Sequence, residues 1–339
     1  MVRFTVSPII YNFLIDSIDI LKLDIDRVEG VLGFHLKYRE ERVLFIIVLK
    51  LWKTLEQLSG RSDIGLILAD HFTTKRANLL GEVFLNSRNI KEGVLLVNRY
   101  FPLLLGNVSI RYEEIGERAI FRFDFFPESF IPLSVLEFYI KICFNWVSEF
   151  LDREGVKKIK IYELHYFNKK RPKHIDYYIN NFPDMKVYFS DLYNYAILDK
   201  SIFYIPNRHY QKSVYEYVMG YADSLKTNIL KRNNFSSYVA DHILMDLSNR
   251  SNSIEQLAND MNISVSSIKR QLKAENCSFS KLSNNIKKEL CSIMILDKNL
   301  FYEDISFLLG YSDYSAFYKA FKKWFKVTPS QYRERYLNV

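Results

Sequence analysis

Near its C-terminal end the chain carries one two-helix pattern twice, and no other stretch restricts the fold as tightly. The clearer copy runs from Glu303 to Phe325 and is followed by Thr328 and Pro329. An apolar segment leads into Gly310, a tight turn follows, and a second helix places Phe317 and Phe321 one turn apart. That spacing hides both rings on one stripe and leaves Lys319, Lys322 and Lys323 on the polar side. A helix held across a scaffold with a basic outer face is how a protein enters a DNA groove.

The weaker copy lies upstream. Its run from Leu257 to Asn262 corresponds to the run from Ile305 to Gly310 at an offset of 48, and Arg270 corresponds to Lys319 at an offset of 49. Each copy has a small residue, Ala258 or Ser306, where two helices would cross closely. Each has Asn262 or Gly310 four positions later, residue types that tolerate the left-handed conformation of a sharp turn. Ser264 is placed to cap the helix that carries Ile268, Arg270, Leu272 and Lys273. Ile268, Leu272, Ile305, Leu309, Phe317 and Phe321 are core residues whatever the function.

At 339 residues the chain exceeds one ordinary core, and two domains are expected. The net charge of +8 is unevenly spread: residues 251–339 hold 13 Lys and Arg against 9 Asp and Glu, and the first 250 hold 34 against 30. The C-terminal 89 residues therefore carry half of the net positive charge, which suits phosphate contact. Cys143, Cys277 and Cys291 are too few and too scattered for a disulfide framework or a metal site. No signal peptide is read, because Asp16 and Asp19 break the first apolar stretch, and the longest apolar run, 43–49, falls far short of a membrane span. The expectation is a cytoplasmic protein with no membrane partner. Catalytic and nucleotide motifs such as GxSxG, HExxH, Walker A and GxGxxG are missing, so neither an enzyme nor a cofactor is expected.

Upstream, the periodicity predicts helices over 8–22, 41–59, 77–85, 90–105, 132–151 and 172–181. Strands are expected over 108–112 and 119–125, joined by a 113–118 loop containing Gly116, and over 157–166, 186–189 and 195–198. Beyond Pro206, helices are expected over 214–230 and 235–248 with a break at 231–234. The predicted fold is an α+β N-terminal domain of helices plus short antiparallel strands, followed by an all-α DNA-binding domain with two helix-turn-helix units. The expected division is 1–207 for sensing or dimerisation, 208–234 for a connecting helix and 235–339 for DNA binding.

The segment 253–332 resembles the DNA-binding domain of the AraC/XylS family of bacterial transcription regulators. The resemblance rests on Ile305, Leu309 through Asp313, Ser315 through Phe317, Ala320 through Lys322, Trp324, Phe325, Thr328 through Ser330, Tyr332 and Arg333. The first copy adds Leu257, Ala258, Ser264, Arg270, Leu272, Ala274, Glu275, Ser278 and Phe279. Further upstream, Ile64 through Leu66, Leu80, Gly81, Ser87, Tyr100 through Leu104, Phe189 and 198–206 resemble the long, arabinose-binding-like N-terminal domain of one branch of that family. Asn262, Asn276 and Lys326 stand where the family prefers glycine, and Lys319 stands where it often has arginine.

The resemblance implies a first recognition helix over 265–273, with Ser266, Lys269 and Arg270 toward base edges and Ser267 and Lys273 toward phosphate or solvent. It implies a second over Tyr314–Phe325, with Asp313, Tyr314, Ser315 and Lys319 facing the groove and Tyr318 and Lys322 touching backbone. Arg270 has the bidentate fork that suits guanine, whereas Lys319 is a point charge. Alternatively Arg270 forms a structural salt bridge with Glu275 or another nearby acid, and Lys322 and Lys323 form a solvated face. Two units bridged by the helix around Ile286–Leu296 would address adjacent major-groove segments about 34 Å apart on one face of the duplex. The N-terminal domain would sense a small-molecule effector, dimerise, or both, and RNA polymerase would be a partner of an activator. The alternative is a protein-interaction module with no metabolite ligand. His71, Arg99, Arg111, Tyr112 and Arg122 are either the lining of a polar pocket or surface residues. The 214–230 helix is either a homodimer contact or a connector.

Overall fold

The computed structural model describes residues 5–105, 108–125, 131–156, 161–166, 176, 186–189, 193–231, 235–246, 253–295 and 300–337. Its buried side chains form two clusters, one from Val6 to Ala222 and one from Val239 to Tyr332.

The first cluster begins with a two-residue strand, β1 (Thr5–Val6), and helix α1 (Pro8–Ile20). Ser7 starts α1 by accepting from Ile9 N–H, and Pro8 supplies a preset first helical turn. Helix α2 (Ile25–Leu32) ends at Gly33, whose φ of 75° suits a residue without a Cβ. Strand β2 (Val43–Leu44) pairs with β1 and runs directly into α3 (Phe45–Ser59). Helices α4 (Ile64–Asp70), α5 (Leu79–Leu85) and α6 (Ile90–Tyr100) follow.

A five-stranded sheet then forms in the order β3–β4–β7–β5–β6, from β3 (Val108–Ile115), β4 (Arg118–Phe125), β5 (Ile161–Tyr166), β6 (Lys186–Phe189) and β7 (Asn194–Asp199). Along β4 the period of two buries Ala119, Phe121, Phe123 and Phe125, and leaves Arg118, Arg122 and Asp124 off the core. Helix α7 (Leu133–Arg153) is buried on several sides and packs closely on α4. Gly65 permits that approach, because a Cβ there would lie 1.8 Å from the Ser134 carbonyl oxygen. A short 3-10 helix, Lys200–Tyr204, leads on to α8 (Lys212–Lys231).

Helix α8 docks on the first cluster through Val218 and Ala222. Asp223 fastens it, receiving Arg99 Nη2 at 2.9 Å and the Tyr100 hydroxyl at 2.8 Å. The second cluster is wholly helical: α9 (Phe235–Asp246), α10 (Ile254–Met261), α11 (Val265–Ala274), α12 (Phe279–Met294), α13 (Tyr302–Leu308), α14 (Tyr314–Phe325) and α15 (Pro329–Leu337). The two clusters meet where α3 packs on α12 and Ile46 lies against the second core. Among the described residues no helix is long and apolar enough to cross a membrane.

Several boundaries differ from expectation, each for a tertiary reason. The 41–59 helix starts only at Phe45, because Val43 and Leu44 pair with Val6 and Thr5. The 90–105 helix ends at Tyr100 and tightens into a 3-10 turn at Pro102, which lacks an N–H for the helix. The hairpin loop is two residues rather than six, since Ile115 pairs with Arg118 and only Gly116 and Glu117 turn the chain. The expected antiparallel strands are found in β3–β4, β4–β7 and β5–β7, but β5 and β6 run parallel. Helices α2 and α4 were not anticipated. Apart from Asp176, the expected 172–181 helix lies outside the described residues, as do 157–160 of the expected 157–166 strand and 247–248 of the expected 235–248 helix.

Candidate nucleic-acid interface

Each helix pair in the second cluster is built by local capping and sealed by a few apolar side chains. In the first pair, Ser253 caps α10 by accepting from Gln256 N–H, and Asn262 ends it in the left-handed conformation at φ 53°. Two residues later Ser264 opens α11 by accepting from Ser267 N–H at 3.2 Å. Leu257, Ala258, Ile268 and Leu272 close the crossing. In the second pair Gly310 makes the turn at φ 70°, and Asp313 caps α14 by accepting from Ala316 N–H at 2.8 Å. The small residue at this crossing, Ser306, also donates to the Asp313 carbonyl at 3.1 Å and so fixes where α14 begins. Phe317 and Phe321 are fully buried beneath that helix.

The outer faces hold the expected contact residues. On α11, Ser266, Lys269, Arg270 and Lys273 are exposed and Ser267 is half-buried. Glu275 does not hold Arg270: its carboxylate accepts from Phe235 N–H at 2.6 Å and Ser236 N–H at 2.9 Å, capping α9. Among the described residues the Arg270 guanidinium has no ion-pair or hydrogen-bond partner. On α14, Ser315, Lys319, Lys322 and Lys323 are exposed. Tyr314 and Tyr318 are half-buried, and Tyr314 packs on Tyr302, Phe317 and Tyr318. The Lys322 ammonium lies 5.9 Å from the Tyr318 ring. Asp313 is exposed, but Ala316 N–H and then the Ser312 hydroxyl hold its carboxyl below the usual range, so its first task is to start the helix.

Two residues quoted for the resemblance find structural employment that spacing alone did not show. One is the Glu275 cap. The other is Arg333, which donates to the Ile295 carbonyl at 2.8 Å and the Leu300 carbonyl at 2.8 Å, tying α15 to both ends of the segment between α12 and α13. Lys287, which no motif marked, lies 4.6 Å from the Tyr311 ring, and burial lowers its pKa.

Where glycine was preferred, the backbone is indeed left-handed: Asn262, Asn276 and Lys326 have φ of 53°, 55° and 62°. Lys326 has no short side chain to ease that conformation, which costs roughly 1–2 kcal/mol, against about 0.5–1 kcal/mol for the extra freedom glycine has when unfolded. Lys326→Gly is therefore expected to raise the melting temperature of the second cluster, by about 0.5–1 kcal/mol in stability. Thermal denaturation followed by circular dichroism checks this, and a lower melting temperature would contradict it.

The five residues considered for a polar pocket in the N-terminal region do not converge. Arg99 pairs with Asp223, Arg111 and Arg122 share Asp124 on the outer side of the sheet, the Tyr112 hydroxyl donates to Glu114, and His71 is exposed at the end of α4.

Two family profiles match separate parts of the chain. Residues 257–335 match a profile described as a helix-turn-helix domain. Residues 35–161 match the arabinose-binding domain of AraC transcription regulator, N-terminal. Among solved structures, the transcriptional regulator CdpR from Pseudomonas aeruginosa is 15% identical, with 91% of this chain and 96% of that chain covered, at a TM-score of 0.43. A DNA-binding transcriptional dual regulator from Escherichia coli K-12 is 21% identical over 32% of this chain and 96% of that chain, at a TM-score of 0.30. No curated protein matches the chain. With an arabinose-binding-type N-terminal domain ahead of a double helix-turn-helix unit, the chain belongs to the AraC family of DNA-binding transcription regulators.

Proposed function

We propose that the protein reads a specific duplex site with α11 and α14 in adjacent major-groove segments, and that its N-terminal domain controls this binding in response to a small molecule. The observation that carries the DNA reading is Arg270: exposed on the outer face of α11, free of partners among the described residues, and one residue from Lys269. A guanidinium in that state can offer its fork to guanine O6 and N7. Ser266 and Lys269 join it at base edges, with Ser267 and Lys273 toward phosphate. On α14, Ser315 and Lys319 face the groove beside Asp313 and Tyr314, and Lys322 and Tyr318 reach backbone.

Arg270→Ala is expected to cost about 1–3 kcal/mol of operator affinity and to relax the sequence preference at one position. Lys319→Ala is expected to weaken binding with less loss of sequence preference, because a point charge reads a base less selectively than a fork. Gel shifts on the chain's own upstream region, with point-mutated operators, check both. Wild-type binding that ignores sequence and both substitutions would sink the proposal.

A homodimer is part of the same proposal. Val214, Tyr217 and Tyr221 are exposed along one side of α8, flanking the buried Val218 and Ala222, and Tyr217 is 76% exposed. Apolar rings at a spacing of three and four residues form a seam that a second α8 would cover. Tyr221→Lys is expected to shift the protein toward monomer in sedimentation velocity, and an unchanged profile would remove α8 from the interface. The proposed division thus keeps 235–339 as the DNA-binding domain, and assigns α8 to the N-terminal domain on which it docks.

A further inference from the structure

The sheet and α7 do not close fully on each other. Between them lies a cavity with room for about 30 Å³, lined by Phe121 and Phe123 of β4, Cys143 and Trp146 of α7, Val97 of α6 and Phe203 of the 3-10 helix, among others. No polar atom lines it. A water molecule would fit by size but would find none of the two to four polar partners it needs, so the space stays dry. Cys143 is only half-buried, yet burial pushes its thiol up to about 12; the surface it exposes is cavity surface.

One wall of this cavity stands on a short element. Phe203 packs on Phe121 at 4.9 Å and Tyr112 at 5.6 Å, but its backbone belongs to the five-residue 3-10 helix rather than to the sheet or a long helix. The next residue, Tyr204, is held from outside: its hydroxyl donates to Glu114 Oε1 at 2.6 Å. The same oxygen receives Lys91 Nζ at 2.6 Å and the Tyr112 hydroxyl at 2.7 Å. These donors, Lys91 foremost, hold the Glu114 carboxyl down at about 2. Displacing Phe203 therefore opens a latch of exposed side chains and disturbs neither a strand nor a long helix. Asn207, four residues on, anchors the chain to the Leu85 and Ser87 carbonyls just before α8 begins.

We infer that the ligand site of the N-terminal domain is this cavity, that its ligand is an uncharged apolar molecule (a small aromatic ring or short hydrocarbon), and that Phe203 is the side chain it displaces. The inference rests on the sensing role proposed above. A sugar, which the name of the matched profile suggests, would bury several hydroxyls here without partners. A ring is larger than the cavity and so enters with Phe203 swung aside. Because Phe203 lies between β7 and α8, its displacement reaches the helix proposed for dimerisation.

The test uses the full chain, with bromobenzene as the apolar probe and L-arabinose as the polar one. Trp146 lines the cavity, so bromobenzene seated there quenches tryptophan emission by the heavy-atom effect and raises the melting temperature. Val97→Ile and Cys143→Leu fill the space, and each is expected to weaken saturable binding at least tenfold. Phe203→Ala and Tyr204→Phe open it and are expected to strengthen binding severalfold. Unaltered binding in both filling variants, with their melting confirming that they fold, would overturn the inference. So would stabilisation by arabinose with none by bromobenzene. Operator gel shifts separate this from the sensing proposal. Binding that filling abolishes but that leaves operator affinity unchanged supports the cavity as the site and refutes the sensing role. A polar metabolite that alters operator affinity while bromobenzene fails to bind does the reverse.

Discussion

Phe317→Ala is expected to destabilise the second helix-turn-helix unit by about 3–5 kcal/mol and to abolish sequence-specific DNA binding. Phe317 is fully buried, with its ring centroid 5.8 Å from Phe321, 5.9 Å from Tyr311 and 6.0 Å from Tyr314. Removing it empties the space beneath α14, and its neighbours are large rigid rings that cannot collapse into the gap. A domain of this size has about 5–15 kcal/mol to lose, so much of the unit's stability goes with one side chain. The recognition helix is then no longer held, although none of its outward residues has changed. Denaturant unfolding together with gel shift checks this. Arg270→Ala provides the contrast, losing DNA affinity while its melting temperature stays within error of wild type, because an exposed arginine contributes little to the fold. Equal loss of stability in both variants would contradict the division between scaffold and contact residues.

Gly65→Ala is expected to destabilise the N-terminal domain by about 3 kcal/mol, the upper end for overpacking. Glycine to alanine within a helix ordinarily gains about 1 kcal/mol, since alanine has less backbone freedom to lose. At Gly65 sterics reverse that sign. The new Cβ would lie 1.8 Å from the Ser134 carbonyl oxygen, 2.7 Å from its carbon and 3.1 Å from Phe138 N, all backbone atoms of α7. Backbone cannot turn aside as a side chain does, so α4 and α7 must part, and Ser134, whose hydroxyl receives Trp52 Nε1 at 3.0 Å, shifts with them. Gly30 in α2 is the control, because a Cβ there meets nothing within 4 Å. Gly30→Ala is expected to stabilise by about 1 kcal/mol. Melting curves of the two variants should therefore move in opposite directions, and a shared direction would show that helix propensity outweighs the α4–α7 contact.

The features legible in the chain were those set by near neighbours. Ser264 caps its helix because a short oxygen-bearing side chain satisfies an N–H three positions on, a matter of local geometry; Asp313 does the same in the second unit, although the resemblance places it only as facing the groove. Asn262 and Gly310 mark left-handed turns because their residue types tolerate that conformation, whereas Asn276 and Lys326 were marked only by the resemblance. The buried stripe of Phe317 and Phe321, and the alternation of Phe121, Phe123 and Phe125, follow from the helix and strand periods alone. Boundaries that depend on a distant strand were hidden. Val43 and Leu44 read as helix until Thr5 and Val6 are beside them, and the hairpin loop reads as six residues until Ile115 faces Arg118.

The two functional regions divide along the same line. By itself the sequence determined that the chain ends in two helix-turn-helix units, which residues their outer faces carry, and that an α+β domain precedes them. Only the tertiary structure decided that Glu275 caps α9 rather than pairing with Arg270, that α8 docks on the N-terminal domain, and that His71, Arg99, Arg111, Tyr112 and Arg122 scatter while apolar side chains from seven elements line one cavity. The physical reason is range: capping and periodicity act over one to four residues, whereas a charge's partner and a cavity's walls come from segments tens of residues apart, brought together by packing that no local preference encodes.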